Sequence, residues 1–268
     1  MASVAGTYVA AVLLGPILAF LFRVTGVAPL STAEWTQSVG LIAATAFCLR
    51  LIDKRGWDLV WMGRDAAAPA KFAIGWAIGA LAIGVPVGIL IAARWLAPEQ
   101  GTQGSWAGAA ARVSLLLLPA ALLEELATRG YIFAVLRDVW GWRWTLGVTS
   151  VGFGLLHLAN AGVSVGSVIL VIVAGIMLGG ILVATRSLYA AWMAHFAWNW
   201  TMAVVFHTTV SGLPLESPGY RYVDAGPDWA TGGVWGPEGG IPAGLGMGGG
   251  AAAAYLIARR RWKRQTES

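Results

Sequence analysis

Long apolar runs alternate with short polar segments along the whole sequence, and this pattern predicts a bundle of membrane-spanning helices. A helix needs about 20 mostly apolar residues to cross a bilayer. Eight segments approach that length, and the fourth is expected to continue past the membrane surface to about Arg137. The eight predicted spans are residues 4–22, 38–52, 72–96, 107–126, 144–160, 163–184, 188–208 and 241–258. The predicted fold class is therefore all-α, a polytopic membrane protein with about eight transmembrane helices.

The composition agrees with a membrane protein. Hydrophobic residues make up 57% and charged residues 12% of the 268-residue chain, whereas soluble domains are about 25% charged. The net charge is +5, but the basic residues mostly lie in short loops, so nucleic acid is not an expected partner and the lipid bilayer is. No long linker divides the sequence, and residues 1–268 are expected to form a single integral-membrane domain.

The basic residues are distributed unequally between the two sets of loops. One set, together with the tail at 259–268, holds most of them, whereas the opposite loops hold Arg23, Arg94, Arg112 and Arg221. Cytoplasmic loops of membrane proteins carry the excess of lysine and arginine. We therefore expect both termini and the basic tail in the cytoplasm, and the loop at 210–240 outside. The expected location is a bacterial cytoplasmic membrane.

Two adjacent glutamates end the fourth apolar span, in the stretch LLLLPAALLEELATRGY. A charge at the centre of a bilayer costs at least about 2.5–3.5 kcal/mol, so such residues are usually functional. Glu125 and Arg129 are four residues apart and are expected to form an ion pair on one helix face. Glu124 points about 100° away and is free to face a cavity. The alternative is a cluster of charges at the membrane interface.

Two more predicted spans carry polar side chains at helical spacing. His157 follows Phe153 by four residues in the fifth span, and Asn199 follows His195 by four in the seventh. Polar groups inside a membrane need partners, so we expect these side chains and Glu124 to meet in a polar cavity among the fourth, fifth and seventh helices. Either histidine alone would also suit packing or hydrogen bonding between helices. His207 has no such neighbour and is expected at the interface.

These residue types suit the hydrolysis of a peptide bond. A carboxylate partly shielded from water can act as a general base, and imidazole and amide groups can stabilise an oxyanion. Alternatively, Glu124, His157 and His195 could hold a divalent metal such as zinc with an open position for water. A histidine that binds metal usually donates to a carboxylate or a carbonyl. No Asp or Glu lies within a helical turn of His157 or His195. A carboxylate partner would have to be Glu125, which Arg129 is expected to occupy, so a site with no metal or with weak metal binding is favoured.

The three short motifs together resemble one family. EELATR resembles the E-E-x-x-x-R motif of the CPBP family of CAAX-processing and bacteriocin-processing intramembrane endopeptidases, also called the ABI family. FGLLH resembles its F-x-x-x-H motif and HFAWN its H-x-x-x-N motif, in the same order, within a family core of about 115–206. The resemblance implies these catalytic residues: Glu124 activating water, His157 positioning it, His195 and Asn199 stabilising the oxyanion, and Glu125 with Arg129 as a supporting pair.

The expected function is that of an intramembrane endopeptidase that cleaves a membrane-associated protein or peptide with a glutamate-activated water. Two other classes fit some of the same residues. A transporter could use buried glutamate and histidine as a proton relay, although the sequence shows no repeated halves with broken helices. A non-catalytic immunity or scaffold protein could keep the motifs for structure, because a fold by itself does not fix a function.

Overall fold

A computed structural model of the chain describes residues 29–266 and consists mostly of helices. The predicted first span, at 4–22, lies outside the described residues. Two short antiparallel strands, β1 (Leu96–Gln100) and β2 (Tyr220–Asp224), are the only regular sheet in this part of the chain. The helices are α1 (Pro29–Phe47), α2 (Pro69–Ala92), α3 (Trp106–Arg129), α4 (Tyr131–Leu156), α5 (Val165–Thr185), α6 (Leu188–Trp200), α7 (Asp228–Thr231) and α8 (Ile241–Thr266). The predicted all-α class is confirmed.

Five helical stretches between residues 29 and 266 are long and apolar enough to cross a membrane, judged by length and composition. They are Thr32–Ile52, Pro69–Ala92, Trp106–Leu156, Val165–Thr185 and Ile241–Arg261. The fourth predicted span falls within the third of these stretches, and the fifth overlaps it as far as Leu156. The seventh predicted span corresponds to α6, which has 13 residues and continues into the π-helical turn Thr201–Val205. The expectation of an integral membrane protein is confirmed, and the number eight stays a prediction.

Two glycines interrupt the long stretch that contains α3 and α4. Helix α3 ends at Arg129, because Gly130 leaves helical geometry with φ −83° and ψ −124°. The prediction that this helix continues to about Arg137 is therefore wrong. A Cβ at Gly130 would collide with the carbonyl of Leu126. Gly141 then breaks α4 with φ 75° and ψ 160°, a conformation that favours glycine. The chain thus forms two long helices joined by a short helical segment at 131–140.

Two side chains of α1 donate hydrogen bonds to backbone carbonyls of α3 near a proline inside that helix. Pro119 has no N–H, so the carbonyl of Leu115, four residues earlier, loses its helical partner. The indole nitrogen of Trp35 donates to that carbonyl at 3.1 Å. Ser38, one turn further along α1, donates its hydroxyl to the carbonyl of Pro119 at 2.9 Å. The two helices are therefore joined by hydrogen bonds where the backbone ladder is incomplete.

Small residues bring α2 and α6 into backbone contact. Gly75 and Gly79 are one helical turn apart on the same face of α2. A Cβ at Gly75 would collide with the carbonyl of Ala190, and one at Gly79 with the carbonyl of Ala194. Close approach through small residues is a common way for helices to pack in lipid. The residue after Ala194 is His195, so this contact fixes where the histidine stands.

The segments on the side predicted to be outside are held together by a sheet and two ion pairs. Strands β1 and β2 pair in antiparallel register from Leu96–Asp224 to Gln100–Tyr220. Arg221 contacts Glu99 at 2.8 Å, and Arg112 contacts Glu216 at 2.6 Å. The hydrogen bond from Arg112 lowers the pKa of the Glu216 carboxyl from its ordinary value. The sequence pattern did not predict this sheet, because both strands are short and lie in loops rich in turn-forming residues.

Candidate active site

The third helix carries a buried ion pair at its C-terminal end. The side chains of Glu125 and Arg129 are fully buried, and Arg129 Nη1 donates to Glu125 Oε1 at 2.7 Å. This is the pair that the four-residue spacing predicted. The guanidinium also donates to the carbonyl of Gly175 on α5 at 3.2 Å, and it lies 4.6 Å from the centre of the Phe153 ring. Arg129 therefore connects α3 to both neighbouring helices.

His195 shares the carboxylate of that pair. Its Nδ1 lies 3.0 Å from Glu125 Oε1, the same oxygen that accepts from Arg129. A carboxylate accepts, so Nδ1 of His195 carries the hydrogen. The expectation that Arg129 would leave Glu125 no capacity for a histidine is therefore wrong. One carboxylate oxygen has two lone pairs and serves both donors.

His157 is oriented by a backbone carbonyl. Its Nδ1 lies 2.9 Å from the carbonyl oxygen of Phe153, one helical turn earlier. The carbonyl can only accept, so Nδ1 is again the protonated nitrogen. The four-residue spacing of the Phe153–His157 motif thus places the Phe153 carbonyl where it can orient the His157 ring. In their neutral forms, His157 and His195 both keep a lone pair on Nε2.

The two Nε2 atoms approach the same oxygen of Glu124. Glu124 Oε2 lies 3.7 Å from His157 Nε2 and 3.8 Å from His195 Nε2. The Glu124 side chain is 35% exposed, but Oε2 itself is buried and has no hydrogen-bond partner within the described residues. Three groups with lone pairs therefore face one another. Such an arrangement suits a proton, a water molecule or a cation between them.

Asn199 and the two histidines line a small cavity. Its volume is about 30 Å³, and α5 contributes four further wall residues, with Ser211 and Glu238 from the segments between α6 and α8. All six predicted site residues are thus brought into one region, although Glu124 itself is not part of the wall of this cavity. A polar cavity shared by the fourth, fifth and seventh predicted spans stays a prediction. His207 lies apart from the site, where its Nδ1 is 2.6 Å from the carbonyl of Tyr220.

Glu238 is the residue near the site that the sequence analysis missed. It was expected in the outer loop, but it is buried and accepts hydrogen bonds from Trp198 Nε1 at 2.9 Å and from the backbone and hydroxyl of Ser211, both at 2.6 Å. Ser211 in turn accepts at its carbonyl from Asn160. No spacing rule could reveal this residue, because its partners lie 27 and 40 positions away.

The fit of a metal ion depends on donor type and spacing. Two Nε2 lone pairs and one carboxylate oxygen are the kind of donors that zinc prefers, and both histidines have the Nδ1 partners usual for metal ligands. Neighbouring ligand atoms at about 2.0–2.1 Å from a tetrahedral zinc are about 3.3–3.4 Å apart. The 3.7 and 3.8 Å observed are a few tenths of an ångström wider. Between residues 29 and 266, no three His, Cys, Asp or Glu side chains already stand close enough to hold a metal. The donor atoms are therefore of the right type for zinc, and the distances between them would have to shorten by a few tenths of an ångström.

Comparison with known proteins identifies the central part of the chain. Residues 106–201 match the model of a family described as Type II CAAX prenyl endopeptidase Rce1-like. This confirms the resemblance predicted from the three motifs, and the matched stretch contains all six predicted site residues. Searches of curated proteins and of solved structures found no match. Residues 106–201 are thus similar to a family of CAAX prenyl endopeptidases, and the described part of the chain contains helices long and apolar enough to cross a membrane.

Proposed function

We propose that the chain is an intramembrane endopeptidase that hydrolyses a peptide bond in a membrane-associated protein or peptide, using a water molecule activated by Glu124. One observation carries the proposal: a buried oxygen of Glu124 lies within 3.8 Å of Nε2 of both His157 and His195, with no hydrogen-bond partner of its own among the described residues. A purely structural glutamate would be paired. This oxygen instead faces two nitrogens that their other contacts have oriented.

In the proposed reaction, Glu124 takes a proton from the attacking water and later returns it to the leaving amine. His157 accepts a hydrogen bond from that water through Nε2, because its Nδ1 hydrogen is held by the carbonyl of Phe153. A positioned general base typically contributes about 10²–10⁴-fold to a rate. The partial exposure of the Glu124 side chain leaves one side of the carboxylate accessible to substrate.

Asn199 and His195 are proposed to stabilise the oxyanion of the tetrahedral intermediate. The amide of Asn199 can donate at any pH, whereas His195 donates from Nε2 only when the ring carries both hydrogens. Glu125 favours that form, because its carboxylate accepts from Nδ1. Removing one such donor typically lowers kcat by about 10²–10³. Glu125 and Arg129 do not face the substrate, and their proposed role is to hold His195 in place.

A metal ion, if the site binds one, would be held by Glu124, His157 and His195. It would supply a bound water whose pKa lies near about 7. Glu125 and the carbonyl of Phe153 would then orient the two histidines for the metal through their Nδ1 hydrogens. The metal content of the purified protein, measured before and after chelation, tests this alternative without reference to activity.

We also propose the wider arrangement around the site. The eight spans, the cytoplasmic termini and the bacterial cytoplasmic membrane follow from the hydropathy and charge patterns. The site is proposed to open toward the cytoplasm or toward the lipid at that level, because Glu124 lies near the end of a helix that runs inward by the charge count. His195 lies eight residues after Ser187, in the seventh predicted span, which runs outward from a basic loop. The site and the entry of substrate are thus proposed to lie in the cytoplasmic half of the membrane.

The test is the substitution Glu124→Gln, which keeps size and hydrogen-bonding capacity but removes the base. We expect it to abolish turnover and to leave the amount of folded protein unchanged. The measurement compares the termini of membrane proteins in cells with the wild-type chain, with Glu124→Gln and with the control Glu99→Gln, an exposed carboxylate in an outer ion pair. New termini that need Glu124 but not Glu99 identify substrates. Equal cleavage in both variants would favour a non-catalytic role for the motifs.

A further inference from the structure

A small cavity with polar groups in its wall adjoins the two histidines, and Glu124 does not line it. Both imidazoles line the 30 Å³ cavity and also approach Glu124, so they are common to the two places. Another part of the wall is formed by Ser211 and Glu238, which the proposed reaction does not use. We propose that this cavity is a resident water site that supplies the hydrolytic water. The inference rests on the hydrolysis proposed above.

The volume and the chemistry of the cavity suit water. A single water needs about 10–15 Å³ of such space and two to four polar partners, so about two waters fit here. Five polar residues contribute to the wall: His157, His195, Asn199, Ser211 and Glu238. Cavities that stay dry are lined by apolar side chains alone, which is not the case here.

The hydrogen bonds of Glu238 leave room for one more donor. Its Oε1 accepts two, from the backbone and hydroxyl of Ser211, and its Oε2 accepts one, from Trp198. A carboxylate has about four acceptor sites, so one site on Oε2 is left. A water hydrogen can occupy it. The same three donors hold the Glu238 side chain in place.

A local water supply has a purpose in this protein. Each cleavage consumes one water, and the apolar core of a bilayer supplies none. The other side of the cavity is apolar and consists of Phe153, Val171, Met177, Leu178 and Met247, with Ala174 beside them. These groups give a water no competing partner. In this proposal, a water in the cavity moves toward Glu124 along the part of the wall that the two histidines form.

The test uses buried methionines as reporters of water. Pulsed X-rays form hydroxyl radicals from water where it is bound, and a methionine beside such a water is oxidised even when bulk solvent cannot reach it. Met177 and Met247 line the cavity and are 1% and 2% exposed, and Met202 is 0% exposed and does not line it. Met202 is therefore the internal control. In the full-length protein in lipid nanodiscs, we expect Met177 and Met247 to be oxidised at least about fivefold faster than Met202.

A cavity-filling variant gives the second arm. Ala174→Leu places three additional carbons in the cavity, and Ala252→Leu makes the same change at an exposed position of α8. We expect Ala174→Leu to bring the oxidation of Met177 and Met247 down to that of Met202, and to lower kcat with KM unchanged. Ala252→Leu should do neither.

The outcomes separate this inference from the proposed function. Equal oxidation of all three methionines in the wild-type chain would overturn the water site, and this result needs no variant to fold. Loss of oxidation in Ala174→Leu with an unchanged kcat would also overturn it, because the cavity would then have no part in the reaction. Fast oxidation of Met177 and Met247 in a chain with no peptidase activity would keep the water site and refute the endopeptidase.

Discussion

At the scale of single residues, one carboxylate oxygen organises the candidate site. Glu125 Oε1 accepts from Arg129 on its own helix and from His195 on another, which lies 70 positions away in the sequence. The first contact was predictable, because residues four apart share a helix face. The second was not, because nothing in a spacing rule shows which two helices will be neighbours. Glu125 thus fixes both an arginine and the orientation of a catalytic candidate.

The buried pair gives a prediction about stability. Arg129→Met leaves Glu125 as a buried charge without its cation, and breaking such a pair costs about 3–5 kcal/mol. Glu125→Gln combined with Arg129→Met removes both charges, so the double variant should be more stable than the single Arg129→Met variant. Thermal unfolding in detergent of the four chains of this double-mutant cycle is the measurement. Strictly additive losses would show that the two side chains are not coupled.

At the scale of elements, the packing of α2 on α6 positions His195, a candidate site residue. Glycines in a membrane helix are a general sign of close helix packing and do not show which helix is the partner. The structure gives them a specific partner, since Gly79 contacts the backbone immediately before His195. The identity of that partner could not be predicted, because close approach depends on which two helices meet and at what depth. The hydropathy pattern gives the helices but not their pairing.

Gly79→Ala tests this packing, and its helix provides a matched control. The added methyl group would collide with the carbonyl of Ala194, so α6 must shift, and overpacking of this kind costs about 1–3 kcal/mol. Gly88→Ala lies on the same helix with nothing near its Cβ. We expect Gly79→Ala to lower both the unfolding temperature and peptidase activity, and Gly88→Ala to leave both the same or slightly improve stability. A harmless Gly79→Ala would refute the contact.

The hydrogen bond between α1 and α3 gives a second prediction at this scale. Trp35→Phe keeps the ring but removes the donor to the carbonyl that Pro119 leaves without a helical partner. The lost bond should destabilise the protein by about 1–3 kcal/mol, because the carbonyl is left unpaired in apolar surroundings. Pro119→Ala restores a backbone N–H for the same carbonyl. In that background, Trp35→Phe should have little effect on the unfolding temperature, and an equal effect in both backgrounds would contradict the explanation.

At the scale of the whole molecule, hydropathy predicted the class of fold better than its details. Apolar segments of sufficient length identified an all-α membrane protein, and five of the stretches that meet this criterion lie in the described residues. The shortness of α6 was not predictable, because its continuation is equally apolar and only the π-helical turn at Thr201–Val205 ends it. The outer sheet and the burial of Glu238 depend on contacts between distant loops, which no local pattern contains.

The orientation in the membrane gives a prediction for the whole chain. In the proposed topology the tail lies in the cytoplasm and the loop between β1 and α3 lies outside, because cytoplasmic loops carry the excess of basic residues. Single cysteines at Arg260 and Gln103, both exposed, can be introduced after Cys48→Ala removes the native thiol. In intact cells, a maleimide that cannot cross the membrane should label Gln103→Cys at once and Arg260→Cys only after the cells are opened. The reverse pattern would invert the proposed topology.

The bond from Trp35 to Leu115 has a consequence for how the protein is made. A chain leaves the ribosome from its N-terminal end, so α1 is complete before the helix that contains Pro119 has been synthesised. The donor and its acceptor are 80 positions apart, and the donor comes first. When α3 enters the bilayer, its unpaired carbonyl finds an indole N–H already in place. Synthesis order thereby removes an interval in which a bare peptide oxygen would face hydrocarbon, where each such group costs several kcal/mol.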